Sequence, residues 1–169
     1  MDKATLLRSR ADALAAARNF FAQRKITEVD CGALVHSPPL DENIDVMSVC
    51  VSDRETGYLH TSPEYAMKRL LTEGSGDIYF LGHVYRKGEI GPRHNPEFTM
   101  AEWYRIGFNF SQMIEETCDF IRLFAGNLPR RILPYQEAFH TYAHLDIEQD
   151  SQEELLAAIA HRGVDLPRE

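Results

Sequence analysis

The sequence predicts an α+β fold in which an antiparallel sheet is flanked by helices. Apolar residues recur at three- and four-residue steps over residues 5–24 and 111–125, the pattern of amphipathic helices. Two strongly β-like runs, residues 78–86 and 98–106, are joined by a polar, glycine-containing loop. Strands joined in this way favour antiparallel pairing, and helices and strands that do not alternate regularly are typical of the α+β class.

The composition is that of a folded, acidic protein. The chain has 169 residues, 44% of them hydrophobic and 26% charged, which excludes disorder and is enough for one domain with its own core. Its 26 acidic and 18 basic side chains give a formal net charge of −8. A broad phosphate-binding surface needs clustered Lys and Arg, so any contact with nucleic acid is expected to be local.

The three cysteines, Cys31, Cys50 and Cys118, are far apart and form no CxxC pair. This spacing predicts buried, free thiols in a reducing compartment rather than a disulfide framework or a zinc site. The N-terminus lacks the apolar core of a signal peptide, and no run reaches the ~18–20 apolar residues that span a bilayer. We therefore expect a cytoplasmic protein.

The first half of the chain begins with a helix over residues 5–24. Its apolar face is predicted to contain Leu7, Ala11, Leu14, Ala17 and Phe21. The elements that follow are a β-like run over 26–30, a break at Pro38 and Pro39, strands over 46–51 and 58–60, and a turn over 53–57.

The next helix is predicted to begin at Thr61-Ser62-Pro63-Glu64 and to end near Leu71, before Gly74. A hydroxyl can cap the free amides, and Pro suits the first helical position. Beyond the two central strands, helix 111–125 is closed by Gly126 and a shorter helix covers 135–142. Ser151 and Glu154 form a capping box for a last helix, which Gly163 ends.

Strand 98–106 places a carboxylate on an apolar face. Period-two alternation puts Phe98, Met100, Glu102 and Tyr104 on one face and Thr99, Ala101, Trp103 and Arg105 on the other. A carboxylate there is costly unless it meets a cation or hydrogen-bond donors. Nearby positive charge comes from Arg86, Arg93 and His94. The pattern indicates a site for a ligand that is anionic at one end and cationic at the other.

Common nucleotide and metal motifs are not found. There is no GxxxxGK[ST], and Gly74-Ser75-Gly76 is too short for GxGxxG, so phosphate would be held by side chains such as Arg. His140 and His144 have the i, i+4 spacing of metal ligands, but no Glu lies in the motif position between them and no third ligand is apparent. We therefore predict no metal site in this chain.

Residues 93–100, RHNPEFTM, together with Glu102 and Tyr104 resemble motif 2 of the class II aminoacyl-tRNA synthetases, specifically the lysyl branch. TSPEY at 61–65 and MKRL at 67–70 are similar to the substrate loop and helix that precede it there. The chain begins at the helix before motif 1, without room for an anticodon-binding OB-fold. That layout resembles the stand-alone lysyl-tRNA synthetase paralogues that ligate (R)-β-lysine to elongation factor P.

The resemblance implies a role for each matching residue. Arg86 would be catalytic, holding the α-phosphate and the substrate carboxylate as charge develops between them. Glu64 would accept the amino group near the substrate carboxylate, and Glu102 with Tyr104 the far ammonium. The implied ATP-binding residues are Arg86, Lys87, Gly88, Arg93, His94, Asn95 and Phe98, and the implied substrate-binding residues are Ser62, Pro63, Glu64, Glu102 and Tyr104.

The implied reaction is adenylation of lysine or β-lysine with ATP and Mg²⁺, followed by transfer to elongation factor P, in a homodimer. Two positions depart from the family pattern: Gly88 stands where motif 2 has Glu, with Glu89 one place later, and Gly32 stands where motif 1 has Pro. Motif 3 and its acidic metal ligands are absent from residues 1–169, which we expect to be the N-terminal part of a catalytic core, inactive alone. The alternatives are a fragment of a lysyl-tRNA synthetase that charges tRNA, and a non-catalytic synthetase-like binding module.

Overall fold

The computed structural model describes residues 2–163, which form two compact units that divide after Gly126. Within these residues, six strands make two three-stranded sheets. The strands are β1 (Thr27–Glu28), β2 (Leu34–Val35), β3 (Met47–Ser52), β4 (Glu55–Leu59), β5 (Ile78–Tyr85) and β6 (Glu97–Tyr104). The helices of the first unit are α1 (Lys3–Gln23), α2 (Glu64–Thr72) and α3 (Phe110–Ala125). The predicted α+β class is confirmed.

The central sheet has the strand order β1-β5-β6. The long strands β5 and β6 pair antiparallel, as predicted, with Val84 opposite Phe98 and Phe80 opposite Glu102. The short strand β1 joins the other side of β5 in parallel. The second sheet, ordered β2-β4-β3, is antiparallel throughout.

Several predicted strand boundaries are wrong. β4 begins at Glu55, so the turn after β3 contains only Asp53 and Arg54 rather than residues 53–57. The two-residue strand β2 was not predicted, because so short a segment becomes a strand only through its pairing with β4. β6 ends at Tyr104 instead of residue 106, since the backbone amide of Ile106 donates to Asp77 Oδ1 at 2.7 Å.

Helix α1 is buried only towards its C-terminal end. Ala17, Phe20 and Phe21 are buried, whereas Leu7, predicted on the apolar face, is 60% exposed. The sheet is reached by the last turns, where the Phe21 ring stacks on Tyr79 with centroids 4.1 Å apart. The predicted apolar face is therefore covered only in the second half of the helix.

Helices α2 and α3 lie where they were predicted, with one difference at the start of α2. Pro63 occupies the N-cap instead of the first helical position, and the Ser62 hydroxyl accepts a hydrogen bond from the Glu64 amide at 3.1 Å. The shift follows because Pro63 has ψ of 1°, outside the helical range, so Glu64 is the first helical residue. At α3, Gly126 closes the helix with φ of +72°, as predicted.

The two faces of the β5–β6 pair carry separate apolar clusters. Phe98, Met100 and Tyr104 pack on the cluster that includes Met67 and Val84. Trp103 packs on the opposite cluster, whose members include Phe21 and Tyr79 from α1 and β5. The face assignment predicted from alternation is confirmed for these residues.

A buried carboxylate fixes α3 to the sheet. Glu116 is 7% exposed and accepts a hydrogen bond from Trp103 Nε1 at 3.0 Å. Arg105 and Arg24 provide ion pairs to the same carboxylate at 3.4 and 3.6 Å. These partners are needed because an unpaired buried charge would strongly destabilise the fold.

The second described unit, residues 127–163, is helical. Helix α4 (Tyr135–Ala138) continues as a π-helical segment, Phe139–Ala143, so the predicted helix over 135–142 is present but changes its hydrogen-bond pattern. Helix α5 (Gln152–His161) begins at the predicted capping box of Ser151 and Glu154. Gly163 follows with φ of +68°.

The three cysteines are free, as predicted, but only Cys31 is buried. The prediction of burial is wrong for Cys50, which lies at an exposed position of β3, and Cys118 is partly exposed. None of the helices between residues 2 and 163 has the length and apolar character needed to cross a membrane.

Candidate active site

The loop between β5 and β6 is held by its own backbone. The Arg86 amide donates to the Pro96 carbonyl at 2.8 Å, which continues the strand pairing by one step. The amide of Lys87 donates to the Asp45 carbonyl at 2.9 Å, and Gly91 and His94 exchange backbone hydrogen bonds further out. The loop is therefore an ordered extension of the hairpin, and it positions the residues that follow.

This loop and the start of β6 enclose a cleft of about 540 Å³. Its lining residues are Arg86, Gly88, Glu89, Ile90, Arg93, His94, Asn95 and Phe98. The structure thus brings together every predicted nucleotide-binding residue except Lys87, which does not line the cleft. Glu89 and Ile90 line it without having been predicted, and their position inside the predicted loop is the one signal that could have suggested them.

Arg86 is the best placed cation for an anionic ligand. Its side chain is 26% exposed, and its Nε is buried without a hydrogen-bond partner. Nη1 lies 3.7 Å from Glu89 Oε1, and the guanidinium carbon is 5.2 Å from the centre of the Phe98 ring. A buried N–H without a partner is costly, so a ligand oxygen at this position would be strongly favoured.

The cleft combines positive charge with an aromatic surface. Arg86 and Arg93 are charged at neutral pH, and His94 adds a ring nitrogen. Phe98 packs on the core and also borders the cleft, so its ring offers a surface on which a base can stack. Such a site suits a nucleoside polyphosphate held by side chains.

A second polar cluster lies further along β6. The Ser62 hydroxyl donates to Glu102 Oε2 at 2.6 Å, and the Tyr104 hydroxyl donates to Glu102 Oε1 at 3.0 Å. Burial, followed by the negative charge of Glu102, raises the pKa of Tyr104, which keeps the phenol protonated as a donor. The donors expected from the sequence are therefore present, and both are neutral hydroxyls. They satisfy the oxygens of Glu102 without cancelling its charge, which leaves it able to attract a cationic group.

Glu64 takes part through its backbone rather than its carboxylate. Its amide donates to the Ser62 hydroxyl, while its carboxylate pairs with Lys68 one helical turn later. Pro63 is buried beneath this turn. The structure therefore brings Ser62, Glu102 and Tyr104 together, and places Glu64 beside them with its side chain in an ion pair.

Cys31 is a further neighbour of this cluster that sequence reasoning did not select. Burial raises the pKa of its thiol, and the negative charges of Asp30 and Glu102 act in the same direction. The thiol belongs to the apolar cluster beneath β5 and β6. It therefore forms part of the floor near Glu102 in its neutral form.

A separate cavity of about 570 Å³ contains none of the predicted site residues. It is bordered by the loop after β1 and by His60, His83 and Tyr85. His60 Nε2 hydrogen-bonds the His83 carbonyl at 2.9 Å. No set of three or more His, Cys, Asp or Glu side chains in the part of the chain that the structure describes could hold a metal ion.

The family model for class II tRNA synthetases (D, K and N) matches residues 2–157 of the chain. Curated relatives named elongation factor P–(R)-β-lysine ligase are similar over nearly all of its length. The protein of Vibrio parahaemolyticus is 37% identical over 94% of this chain and 50% of its own, and that of Vibrio vulnificus is 39% identical over the same shares. The Photorhabdus laumondii protein is 40% identical over 88% of this chain and 47% of its own.

The chain thus spans about half the length of the curated relatives it matches. The matched region contains the cationic cleft and the Ser62–Glu102–Tyr104 cluster, both of which lie on elements of the first unit. The chain belongs to the family of class II tRNA synthetases (D, K and N).

Proposed function

We propose that the protein containing this chain is a ligase that activates lysine or β-lysine with ATP and transfers it to a lysine side chain of elongation factor P. The observation that carries the proposal is the presence of two sites of opposite charge on one hairpin: the cationic cleft beside Arg86, and the Glu102 carboxylate, whose hydrogen bonds come from neutral hydroxyls. The curated relatives, named elongation factor P–(R)-β-lysine ligase, support β-lysine as the amino acid and elongation factor P as the acceptor.

The dimensions of strand β6 suit this assignment. Phe98 and Glu102 lie four residues apart on the same face, and at ~3.3 Å per residue they are about 13 Å apart along the strand. This distance would allow a base to stack on Phe98 while an amino acid with a long side chain extends along the strand and places its far ammonium group at Glu102. The carboxylate of the amino acid would then point towards Arg86.

At the nucleotide end, this chain would bind and orient ATP. Arg86 would contact the α-phosphate, and Arg93 and His94 the outer phosphates. When an oxygen of the amino-acid carboxylate attacks the α-phosphorus, a C–O–P linkage forms, the bond to the β-phosphate breaks, and pyrophosphate leaves. Arg86 would stabilise the negative charge that develops on the phosphoryl oxygens.

At the amino-acid end, Glu102 and the Tyr104 hydroxyl would hold the far ammonium, and Glu64 would accept the other amino group once it exchanges its partner Lys68. In the second half-reaction, an amine of the acceptor attacks the activated carbonyl, an amide bond forms and AMP leaves. Positioning of the two reactants accounts for the catalytic contribution of these residues.

Magnesium is the ion expected with ATP in this family. The described residues offer no group of three metal ligands, and the one carboxylate in the cleft, Glu89, is paired with Arg86. Magnesium would therefore be held chiefly by phosphate oxygens or by residues outside 2–163. Residues 1–169 would then be the N-terminal part of a catalytic core that dimerises.

The acceptor is tested directly with the full product of the gene, ATP and radiolabelled (R)-β-lysine or lysine. We expect label to appear on elongation factor P and not on tRNA. A variant of elongation factor P with its acceptor lysine replaced by arginine is the control and should stay unlabelled. Labelled tRNA with unlabelled elongation factor P would instead identify a tRNA-charging enzyme, for which the charge of −8 provides no broad binding surface.

A further inference from the structure

The turn after Arg86 has a conformation that favours glycine. Gly88 has φ of +80°, in the left-handed region, and its carbonyl accepts a hydrogen bond from the Ile90 amide at 2.8 Å. A Cβ at this position would meet no atom within 4 Å, so backbone conformation rather than space disfavours a side chain here. The next residue, Glu89, is the first carboxylate after Arg86 in the sequence.

Glu89 faces the cleft and Arg86. It is the only acidic residue among those that line the cleft, and its side chain is 35% exposed. Its Oε1 lies 3.7 Å from Arg86 Nη1, the distance of an ion pair without a direct hydrogen bond. Contact through Nη1 leaves Nε as the buried donor without a partner.

A carboxylate is unfavourable in a cleft that binds phosphates, because it repels the negatively charged ligand. Its presence therefore suggests a compensating role. The compensating effect available here is geometric: a long Arg side chain has several rotamers, and a charge at one end of its planar fork restricts them.

We propose that Glu89 is a positioning residue that holds the Arg86 guanidinium in the orientation required by the α-phosphate. The inference rests on the proposed function, since it takes the cleft to be the ATP site. Glu89 acts through Arg86 and makes no contact with the reacting atoms itself. Gly88, in the left-handed conformation, stands where the family motif has Glu, and Glu89 follows it one residue later.

Replacing Glu89 by an uncharged residue distinguishes the positioning role from simple repulsion of the phosphates. If Glu89 merely lies near the phosphates, Glu89→Gln lifts a repulsion, so the KM for ATP falls and kcat is unchanged. If Glu89 orients Arg86, kcat falls because Arg86 is less well placed when negative charge develops at the α-phosphate. The two effects act on different kinetic constants.

The test is steady-state ATP–pyrophosphate exchange by the full gene product, with the amino acid that supports the highest rate. We expect Glu89→Gln to lower kcat about tenfold, because a less well oriented Arg86 stabilises the developing charge less well, with no rise in the KM for ATP. Glu89→Asp, which keeps the charge, should recover part of the loss. Unchanged kcat in Glu89→Gln would overturn the proposal.

A double-mutant cycle tests whether the effect passes through Arg86. In an Arg86→Lys background, which keeps a charge but has no planar fork, Glu89→Gln should lower kcat less than twofold further. An undiminished tenfold loss in that background would contradict the proposal. Glu137→Gln removes a carboxylate that pairs with Arg131 at 3.4 Å, outside the cleft, and serves as the matched control with unchanged kinetics.

The outcome also distinguishes this inference from the proposed function. If the unmutated protein shows no amino-acid-dependent exchange, the ligase assignment fails, and the role of Glu89 fails with it. If the unmutated protein is active and Glu89→Gln matches it in kcat, only the positioning role is wrong. Thermal unfolding midpoints of each variant within about 2 °C of the unmutated protein show that folding does not account for the kinetic losses.

Discussion

Glu102 shows how much of one residue's environment can be predicted from its position in a strand. Alternation along β6 predicted a carboxylate on an apolar face, and the energetic cost of burial predicted that it would have a partner. The identity of one donor could not be predicted, because Ser62 is 40 residues away and reaches Glu102 only when α2 packs on the sheet. The hydroxyl of Tyr104, two residues along the same strand, was within reach of sequence reasoning.

Replacement of the Glu102 carboxylate should weaken the binding of the amino acid and leave the binding of the nucleotide unchanged. We expect Glu102→Gln to lower kcat/KM for lysine or β-lysine by roughly 100-fold, because an amide attracts the ammonium far less than a charged carboxylate does. The KM for ATP should change less than twofold, since the cleft lies at the other end of the strand. ATP–pyrophosphate exchange at varied substrate concentrations measures both.

A carboxylate on the same strand provides the control. Glu97 lies at the start of β6 on the alternate face and pairs with His83 at 2.8 Å. Glu97→Gln should therefore leave both constants unchanged. An equal loss in the two variants, or a loss confined to the KM for ATP in Glu102→Gln, would show that Glu102 does not bind the amino acid.

The site residues of the loop were predicted less completely than those of the strands. Arg86, Arg93 and His94 were selected through the resemblance and do line the cleft, whereas Lys87 was selected and does not. Glu89 was missed because its contact with Arg86 depends on how the loop folds back on itself, which local sequence patterns do not specify. Loop conformation is thus the part of the site that local patterns determine least.

At the scale of elements, long segments with strong patterns were predicted well and short ones poorly. The β5–β6 hairpin, α2 and α3 were expected at nearly their observed bounds, because each has enough residues for its period to be evident. β2 has two residues and was missed, and the exposed first half of α1 shows that an apolar stripe need not be covered along its whole length. Pairing and burial of these segments depend on distant residues.

The stability of the β5–β6 pair should be sensitive to substitution of Gly82, in the middle of β5. A Cβ there would lie 2.6 Å from Cζ of the Phe80 ring, which is 5% exposed and packed in the core. Because the ring cannot move away freely, we expect Gly82→Ala to lower the free energy of unfolding by about 1–3 kcal/mol. Urea denaturation followed by circular dichroism measures the change.

Gly32 provides the comparison, since a Cβ there would meet nothing within 4 Å and its φ is not positive. Gly32→Ala should be neutral, or stabilising by up to about 1 kcal/mol through the unfolded chain. If Gly82→Ala is as well tolerated as Gly32→Ala, the Phe80 ring does not pack against the strand as described.

At the scale of the whole molecule, the net charge and the family membership are consistent with the proposed protein acceptor. A net charge of −8 is unfavourable for a broad tRNA surface and acceptable for an enzyme whose acceptor is a protein. The chain covers about half of each curated relative, so the expectation that residues 1–169 alone are inactive remains a prediction. The described residues contain the cationic cleft and the Ser62–Glu102–Tyr104 cluster, to which we assign the two ends of an aminoacyl-adenylate as a proposal.

The most direct measurement is ATP–pyrophosphate exchange by the full gene product in the presence of single amino acids. We expect exchange with (R)-β-lysine or lysine, because Glu102 would bind the far ammonium group and the cleft would bind ATP. Aspartate, which has a carboxylate in place of the far ammonium, should give only the background rate. Exchange with aspartate, or no exchange above background with either lysine isomer, would show that the proposed function is wrong.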